Sequence, residues 1–149
     1  MRASDLLCHN ILTRLIAFDT TSRNSNLEMI AWIQDYLAGF NIATELTYDD
    51  DQRKANLFAT LGPAENSGGI ILSGHTDVVP IDGQDWVTDP FEMTEKDGKL
   101  YGRGTCDMKS FVAVSLAMVP HLLKRGLKVP IHLAFSYDEE VGCIGVRRL

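Results

Sequence analysis

The chain has 149 residues, about one ordinary domain, and its 45% apolar and 23% charged residues exclude disordered, collagen-like or repetitive architectures. With 14 Lys plus Arg against 20 Asp plus Glu the net charge is −6, which argues against a nucleic-acid or anionic-membrane binder, since both need a positive field. Cys8, Cys106 and Cys143 contain no Cys-x-x-Cys pair, so neither a disulfide framework nor a structural zinc is expected. They read as small, buried, reduced residues of a cytoplasmic protein.

The first predicted element is a helix, with Leu7, Ile11 and Leu15 on one row and Cys8, Leu12 and Ile16 on the next. Ser4 suits its N-cap and Asp5 its positive N-terminal end. Charges inside this segment argue against a signal-peptide core. A polar run from Asp19 to Asn26 breaks the helix, and a second follows from Leu27 to Ala38 with Gly39 as its stop. Ile42 to Tyr48 alternates as a strand, the aspartates at 49–51 make a solvated turn, and Asn56 to Leu61 returns as a second strand. Gly69 to Ser73 reads as a short buried strand. Glu92 to Tyr101 reads as a hairpin around Lys96-Asp97-Gly98. Met108 to Lys124 is helical and apolar almost all round, with Pro120 expected to kink it or tighten its last turns. Its apolar stretch from Phe111 to Pro120 falls far short of the ~20 residues of a membrane span. Ile131 to Tyr137 is a further strand, expected at the centre of the sheet, and Val146 to Leu149 starts a helical turn. This alternation predicts an α/β fold with a mixed, largely parallel sheet flanked by helices.

Three polar clusters fall at element ends, where open α/β sheets place their ligands. Strand 69–73 runs into Gly74-His75-Thr76-Asp77, the helix from 108 is preceded by Tyr101 to Asp107, and strand 131–137 runs into Asp138-Glu139-Glu140. Carboxylates at the rim of an apolar core are usually paired or hold a metal, and one histidine with several carboxylates is a donor set for a divalent cation. In that reading His75 offers a ring nitrogen and Asp77 holds the other. Asp107 has two oxygens with which to bridge two ions. Of Glu139 and Glu140, one ligates while the other serves as general base toward a water acidified by the metal. Solvated loop carboxylates are the alternative on spacing alone.

The runs Ser73-Gly-His-Thr-Asp-Val-Val-Pro80, Trp86 with Asp89-Pro-Phe91, Asp97-Gly-Lys-Leu-Tyr-Gly-Arg-Gly-Thr-Cys-Asp-Met-Lys109 and Asp138-Glu-Glu-Val-Gly-Cys143 resemble the di-zinc aminoacylase and carboxypeptidase family. The resemblance implies an amidohydrolase with two divalent ions, zinc or cobalt. It makes His75 the ligand of one ion, Asp107 the bridge, Glu140 a ligand of the second, Glu139 the general base and Asp77 the group that orients His75. It also makes the Asp107–Met108 peptide bond a candidate for the cis form. The Gly104-Thr-Cys-Asp-Met-Lys109 and Asp138 to Gly145 runs favour the branch acting on N-acetyl-L-ornithine over the one that desuccinylates diaminopimelate, which usually shows Ala-Ala before Asp-Met-Lys. A dipeptide or another N-acyl amino acid is the alternative substrate. Ser110 departs from the glycine usual after Asp-Met-Lys. The family's further acidic ligand, its C-terminal histidine and its lid domain, which mediates homodimerisation, have no counterpart in these 149 residues. Residues 1–149 are thus expected to form part of a catalytic domain that binds metal weakly by itself. Asp138 reads as a structural turn residue, Trp86 and Phe91 as packing under the site loop, and His9, His121 and His132 as ordinary histidines without acidic neighbours.

Overall fold

The computed structural model describes residues 3–65 and 68–149. Helix α1 (Ala3–Ile16) and helix α2 (Leu27–Ala38) precede strands β1 (Thr44–Tyr48), β2 (Ala55–Leu61) and β3 (Ile70–His75). A small hairpin, β4 (Thr94–Lys96) with β5 (Lys99–Tyr101), leads to helix α3 (Lys109–Arg125), strand β6 (Ile131–Ser136) and a 3-10 turn at Gly145–Arg148. The side chain of Ser4, the expected N-cap, lies outside the described residues. Helix α2 ends where expected, yet Gly39 keeps ordinary helical geometry (φ −59°) and Asn41, at φ 58°, makes the left-handed turn. In the hairpin the two-residue loop Asp97-Gly98 has φ of 53° and 70°, the type I′ pattern that matches the twist of paired strands. Among the described residues no helix is long and apolar enough to cross a membrane.

The main sheet runs β1-β2-β6-β3, and it is mixed and flanked by helices, with β6 central, as the sequence implies. Its parallel share is smaller than expected: β6 pairs parallel with β3, whereas β1–β2 and β2–β6 are antiparallel. The reason for the first is a short connection, which can only reverse the chain. The Asp49 carboxylate closes it by accepting the amides of Arg53 and Lys54 at 2.7 and 2.9 Å. Strand β3 also departs from expectation. It is a sheet edge, not a buried strand, so Ile70 and Ile71 are 56% and 60% exposed, and burial begins only at Gly74. Alternation along the strands sends Leu57, Ala59, Leu61, Leu133 and Phe135 to one face, where they join the apolar stripes of all three helices in one core. Phe58, Thr60, His132 and Ile71 fall on the other face.

Helix α3 is buried along one stripe only, and Val114 and Met118 stay open to solvent. Pro120 lies within the helix, which continues to Arg125. A proline has no N–H, so the carbonyl four residues back, that of Leu116, loses its helical donor. The Tyr36 hydroxyl of α2 supplies the missing bond at 3.0 Å. Lys109, at the start of α3, is fully buried, and its Nζ donates to the carbonyls of Leu15 and Phe18 at 3.0 and 2.7 Å. It thereby gives a second donor to two carbonyls after α1 that already accept the Phe18 and Thr20 amides. Burial lowers the pKa of Lys109 to about 7, the charge of Asp19 opposing.

Candidate metal centre

Parallel pairing of β3 with β6 puts Gly74 opposite Phe135 and His75 opposite Ser136, so both chains leave the sheet at the same end. The Thr76 amide and hydroxyl both donate to the Ser136 carbonyl, at 2.8 and 2.9 Å, and extend that pairing past the strands. Buried Asn26 donates to Thr76 Oγ1 and to the Ala55 carbonyl, each at 2.9 Å, tying the start of α2 beneath the same loops. The third cluster arrives through the loop before α3. Gly104 stands there at φ 91° with Lys109 and Val78 so close that a Cβ would lie 3.0 Å from both side chains. The Asp107–Met108 peptide bond is cis.

His75 is buried, and its Nδ1 lies 2.9 Å from the Asp77 backbone carbonyl and 3.5 Å from the Asp77 carboxylate. A carbonyl only accepts, so Nδ1 carries a proton. Asp107 Oδ1 also accepts, which favours a second proton on Nε2, and it is the neutral ring that offers an Nε2 lone pair to the cleft. The carbonyl is thus the closer partner, where the sequence suggests the carboxylate. Facing Nε2 are Asp107 Oδ1 at 3.0 Å and Glu139 Oε2 at 3.7 Å. Ligand atoms of His75, Glu139 and Glu140 all lie within 4.8 Å of one another. Asp107 is mostly exposed, its side chain at 73%, and meets the group on the His75 side.

The carboxylate of Asp77 does more than neighbour the histidine. Its Oδ1 accepts the Glu139 amide at 3.0 Å, and its Oδ2 accepts the Ser22 hydroxyl at 2.7 Å and the Glu140 amide at 3.2 Å. Burial pushes its pKa up, but bonds from His75, Ser22 and the two amides outweigh that and hold it below the usual carboxylate range. Burial likewise pulls His75 down, and the Asp77 and Asp107 contacts more than reverse it, to about 9. Glu140 is raised by burial and by the charge of Asp107. Among the described residues no Lys or Arg forms an ion pair with Asp107, Glu139 or Glu140, and a divalent metal would supply positive charge there. One imidazole held at Nδ1 and facing carboxylates is, once Nε2 gives up its proton, the hard and borderline donor set such ions take, so the residues present fit a metal.

The structure therefore brings His75, Asp77, Asp107, Glu139 and Glu140 together. Sequence reading missed the layer beneath them. Thr20, Thr21, Ser22 and Asn26 are buried and carry the site, where periodicity shows only a break between helices. Lys54 Nζ reaches Asp138 Oδ1 at 2.6 Å, and nothing local marks it. Asp138 is a turn residue, at φ 54°. Two expectations need correction. Cys106 and Cys143 are exposed because they sit on the loops around the site and not in the core, and the Cys143 thiol lies 3.6 Å from Glu139 Oε1. His9 has an acidic neighbour, Glu95 at 3.6 Å, on the facing hairpin. His132 bonds Thr60 at 2.9 Å and stacks on Phe58. Trp86 lies under the Arg103 guanidinium, 5.3 Å from its ring centroid.

Known proteins share both sequence and fold with this chain. An acetylornithine deacetylase of Pasteurella multocida (strain Pm70) is 41% identical over 124 residues, 83% of this chain and 32% of the relative. The chain thus spans about a third of the length of the curated relative it matches. Human carnosine dipeptidase 1 superposes with a TM-score of 0.80 at 28% identity, over 95% of this chain and 34% of that one. Sso-CP2, an M20 family metallo-carboxypeptidase from Sulfolobus solfataricus, superposes at 0.82 with 20% identity, over 98% and 33%, a likeness of fold alone. The family description of peptidase family M20/M25/M40 matches residues 71–149, the stretch that contributes every side chain gathered around His75 Nε2. By that match this chain belongs to peptidase family M20/M25/M40.

Proposed function

We propose that this chain is the metal-binding part of a hydrolase that cleaves the amide bond of an N-acyl amino acid, with N-acetyl-L-ornithine as substrate and L-ornithine and acetate as products. The observation that carries the reading is the placement of His75 Nε2, with Nδ1 held by the Asp77 carbonyl, facing Asp107, Glu139 and Glu140. Likeness to an acetylornithine deacetylase supports the substrate; a place in arginine biosynthesis in the cytoplasm is part of the same proposal. His75, Asp107 and Glu140 would hold two divalent ions, zinc or cobalt, with Asp107 shared between them. Bound there, such ions supply Lewis-acid charge and lower the pKa of water toward ~7.

Glu139 is the general base. It is the more open of the acidic pair, its side chain 43% exposed, and its backbone is held by Asp77. Its carboxylate takes a proton from the attacking water as the water oxygen bonds to the acyl carbon. It returns that proton to the amine nitrogen as the carbon–nitrogen bond breaks, so the base is regenerated. Asp77 keeps His75 in one tautomer and the Glu139–Glu140 turn in one place. Further ligands, a lid domain and homodimerisation belong to the longer protein in this reading, and the chain alone binds metal weakly and turns over little. A dipeptide substrate is the second reading, favoured by the 28% identity to carnosine dipeptidase 1. It keeps every role and changes the acyl group to an aminoacyl group and the leaving amine to that of another amino acid.

The test compares ornithine release from N-acetyl-L-ornithine by a downstream-extended protein carrying this chain with release by its E139Q form, metal content being measured in both. The expected result is a loss of roughly 10²–10⁴-fold in kcat with metal retained. Hydrolysis by E139Q within twofold of the parent refutes the assignment of the base. Cleavage of dipeptides but not of N-acetyl-L-ornithine refutes the substrate.

A further inference from the structure

The Glu139–Glu140 turn is pinned from two sides, and one pin is a cation to which the proposed reaction gives no task. Lys54 and Asp138 are 84 residues apart, yet Lys54 Nζ donates to Asp138 Oδ1 at 2.6 Å and to the Ser22 carbonyl at 2.5 Å. Both side chains are nearly buried, at 14% and 13% exposure. A lysine is seldom drawn into a fold unless it is paired, and such a pair is weak evidence for stability alone, because desolvation offsets the attraction. What it joins suggests its use. Asp138 immediately precedes Glu139 and stands at φ 54°, a conformation that a non-glycine residue adopts only when its surroundings hold it there. Ser22, which takes the other Lys54 bond on its carbonyl, gives its hydroxyl to Asp77, and Asp77 accepts the amides of Glu139 and Glu140. The contacts close a ring: Lys54 to Asp138, along the chain to Glu139 and Glu140, across to Asp77, to Ser22 and back.

We infer that Lys54 is a positioning residue of the centre, aiming the Glu139 and Glu140 carboxylates at His75 by holding Asp138 and Ser22 together. The inference rests on the proposed function only where metal is read out. Lys54 touches no reacting atom and acts through the turn, so its loss loosens residues 138–140 while the sheet stays intact.

K54M, which keeps the length of the side chain and removes its charge, is compared with the 149-residue parent by amide hydrogen exchange and by Co²⁺ titration followed in the visible spectrum. K54R is the conservative control. The expected result for K54M is about a tenfold loss of protection at the Glu139 and Glu140 amides, with the β2 and β6 amides within twofold of the parent, and about a tenfold loss of Co²⁺ affinity. K54R recovers most of both. D138N, which keeps the size of the partner, is read in the same way should K54M not fold. Folded K54M with unchanged protection at 139 and 140 overturns the inference. So does unfolding of both K54M and D138N, which reveals a purely structural lysine. A parent chain that takes up no Co²⁺ counts against the metal reading and leaves the exchange measurement to decide the role of Lys54.

Discussion

Replacing Asp77 by asparagine tests the centre at its most connected atoms. The native carboxylate accepts the Glu139 amide on Oδ1, and the Ser22 hydroxyl and the Glu140 amide on Oδ2. An asparagine of the same shape must put its NH₂ at one of these oxygens. At Oδ1 it confronts the Glu139 N–H and stands 3.5 Å from His75 Nδ1, and at Oδ2 it confronts the Glu140 N–H. The Ser22 hydroxyl can rotate to accept, but an amide cannot, so either orientation loses one backbone bond to a charged acceptor. A hydrogen bond of that kind contributes about 1.5–3 kcal/mol, and Asp77 is 2% exposed, so solvent does not make up the loss. Because the lost bond positions a proposed ligand or the base, the same free energy reappears in metal binding, at about 1.4 kcal/mol per factor of ten. The expected outcome is therefore a 10–100-fold weaker Co²⁺ or Zn²⁺ affinity for D77N, measured by calorimetric titration, with a comparable loss of stability in urea. D77N that binds metal as tightly as the parent refutes the argument that this carboxylate organises the centre.

Metal uptake has a pH dependence with a definite sign. His75 in the metal-free chain has its pKa raised to about 9, above its ordinary 6.5, so its contribution to stability is present below pH 6.5 and is lost as pH rises through 9. A metal needs the neutral ring, so from this group apparent affinity rises about tenfold per pH unit up to 9 and then levels off, with close to one proton released at pH 7. Titration calorimetry in buffers of different ionisation enthalpy counts that proton, and a release near zero contradicts the assignment of His75. The bond from Tyr36 to the Leu116 carbonyl yields a coupling test. Y36F costs about 0.5–1.5 kcal/mol in the parent. In a P120A background, where residue 120 regains an N–H for that carbonyl, the cost falls to a few tenths. Urea denaturation of the four proteins measures the cycle, and equal costs in both backgrounds refute the role given to the hydroxyl.

Element order was legible because periodicity is local. The stripe Ile30, Ile33, Leu37 places α2, and the alternation in β2 places its buried face, without reference to the rest of the chain. The five residues around the site were legible because they cluster in short runs at element ends, where an acidic residue is hard to assign to a core. The exposed edge of β3 was not legible, since Ile-Ile-Leu reads as buried until its neighbours are known. The buried status of Thr20, Thr21 and Ser22 was hidden for the converse reason, polar residues being buried only when distant partners satisfy them.

What the sequence determined by itself is a set of local facts: which segments coil or extend, and which loops carry imidazole and carboxylates. Only tertiary structure decided which atoms of those groups meet. The His75 tautomer depends on the way the Asp77 carbonyl points, and the Glu139–Glu140 turn depends on Ser22 and Asp77, 55 residues apart, and on Lys54 and Asp138, 84 apart. Hydrogen bonds and ion pairs depend on distance in space, which separation along a chain does not report until the sheet has closed.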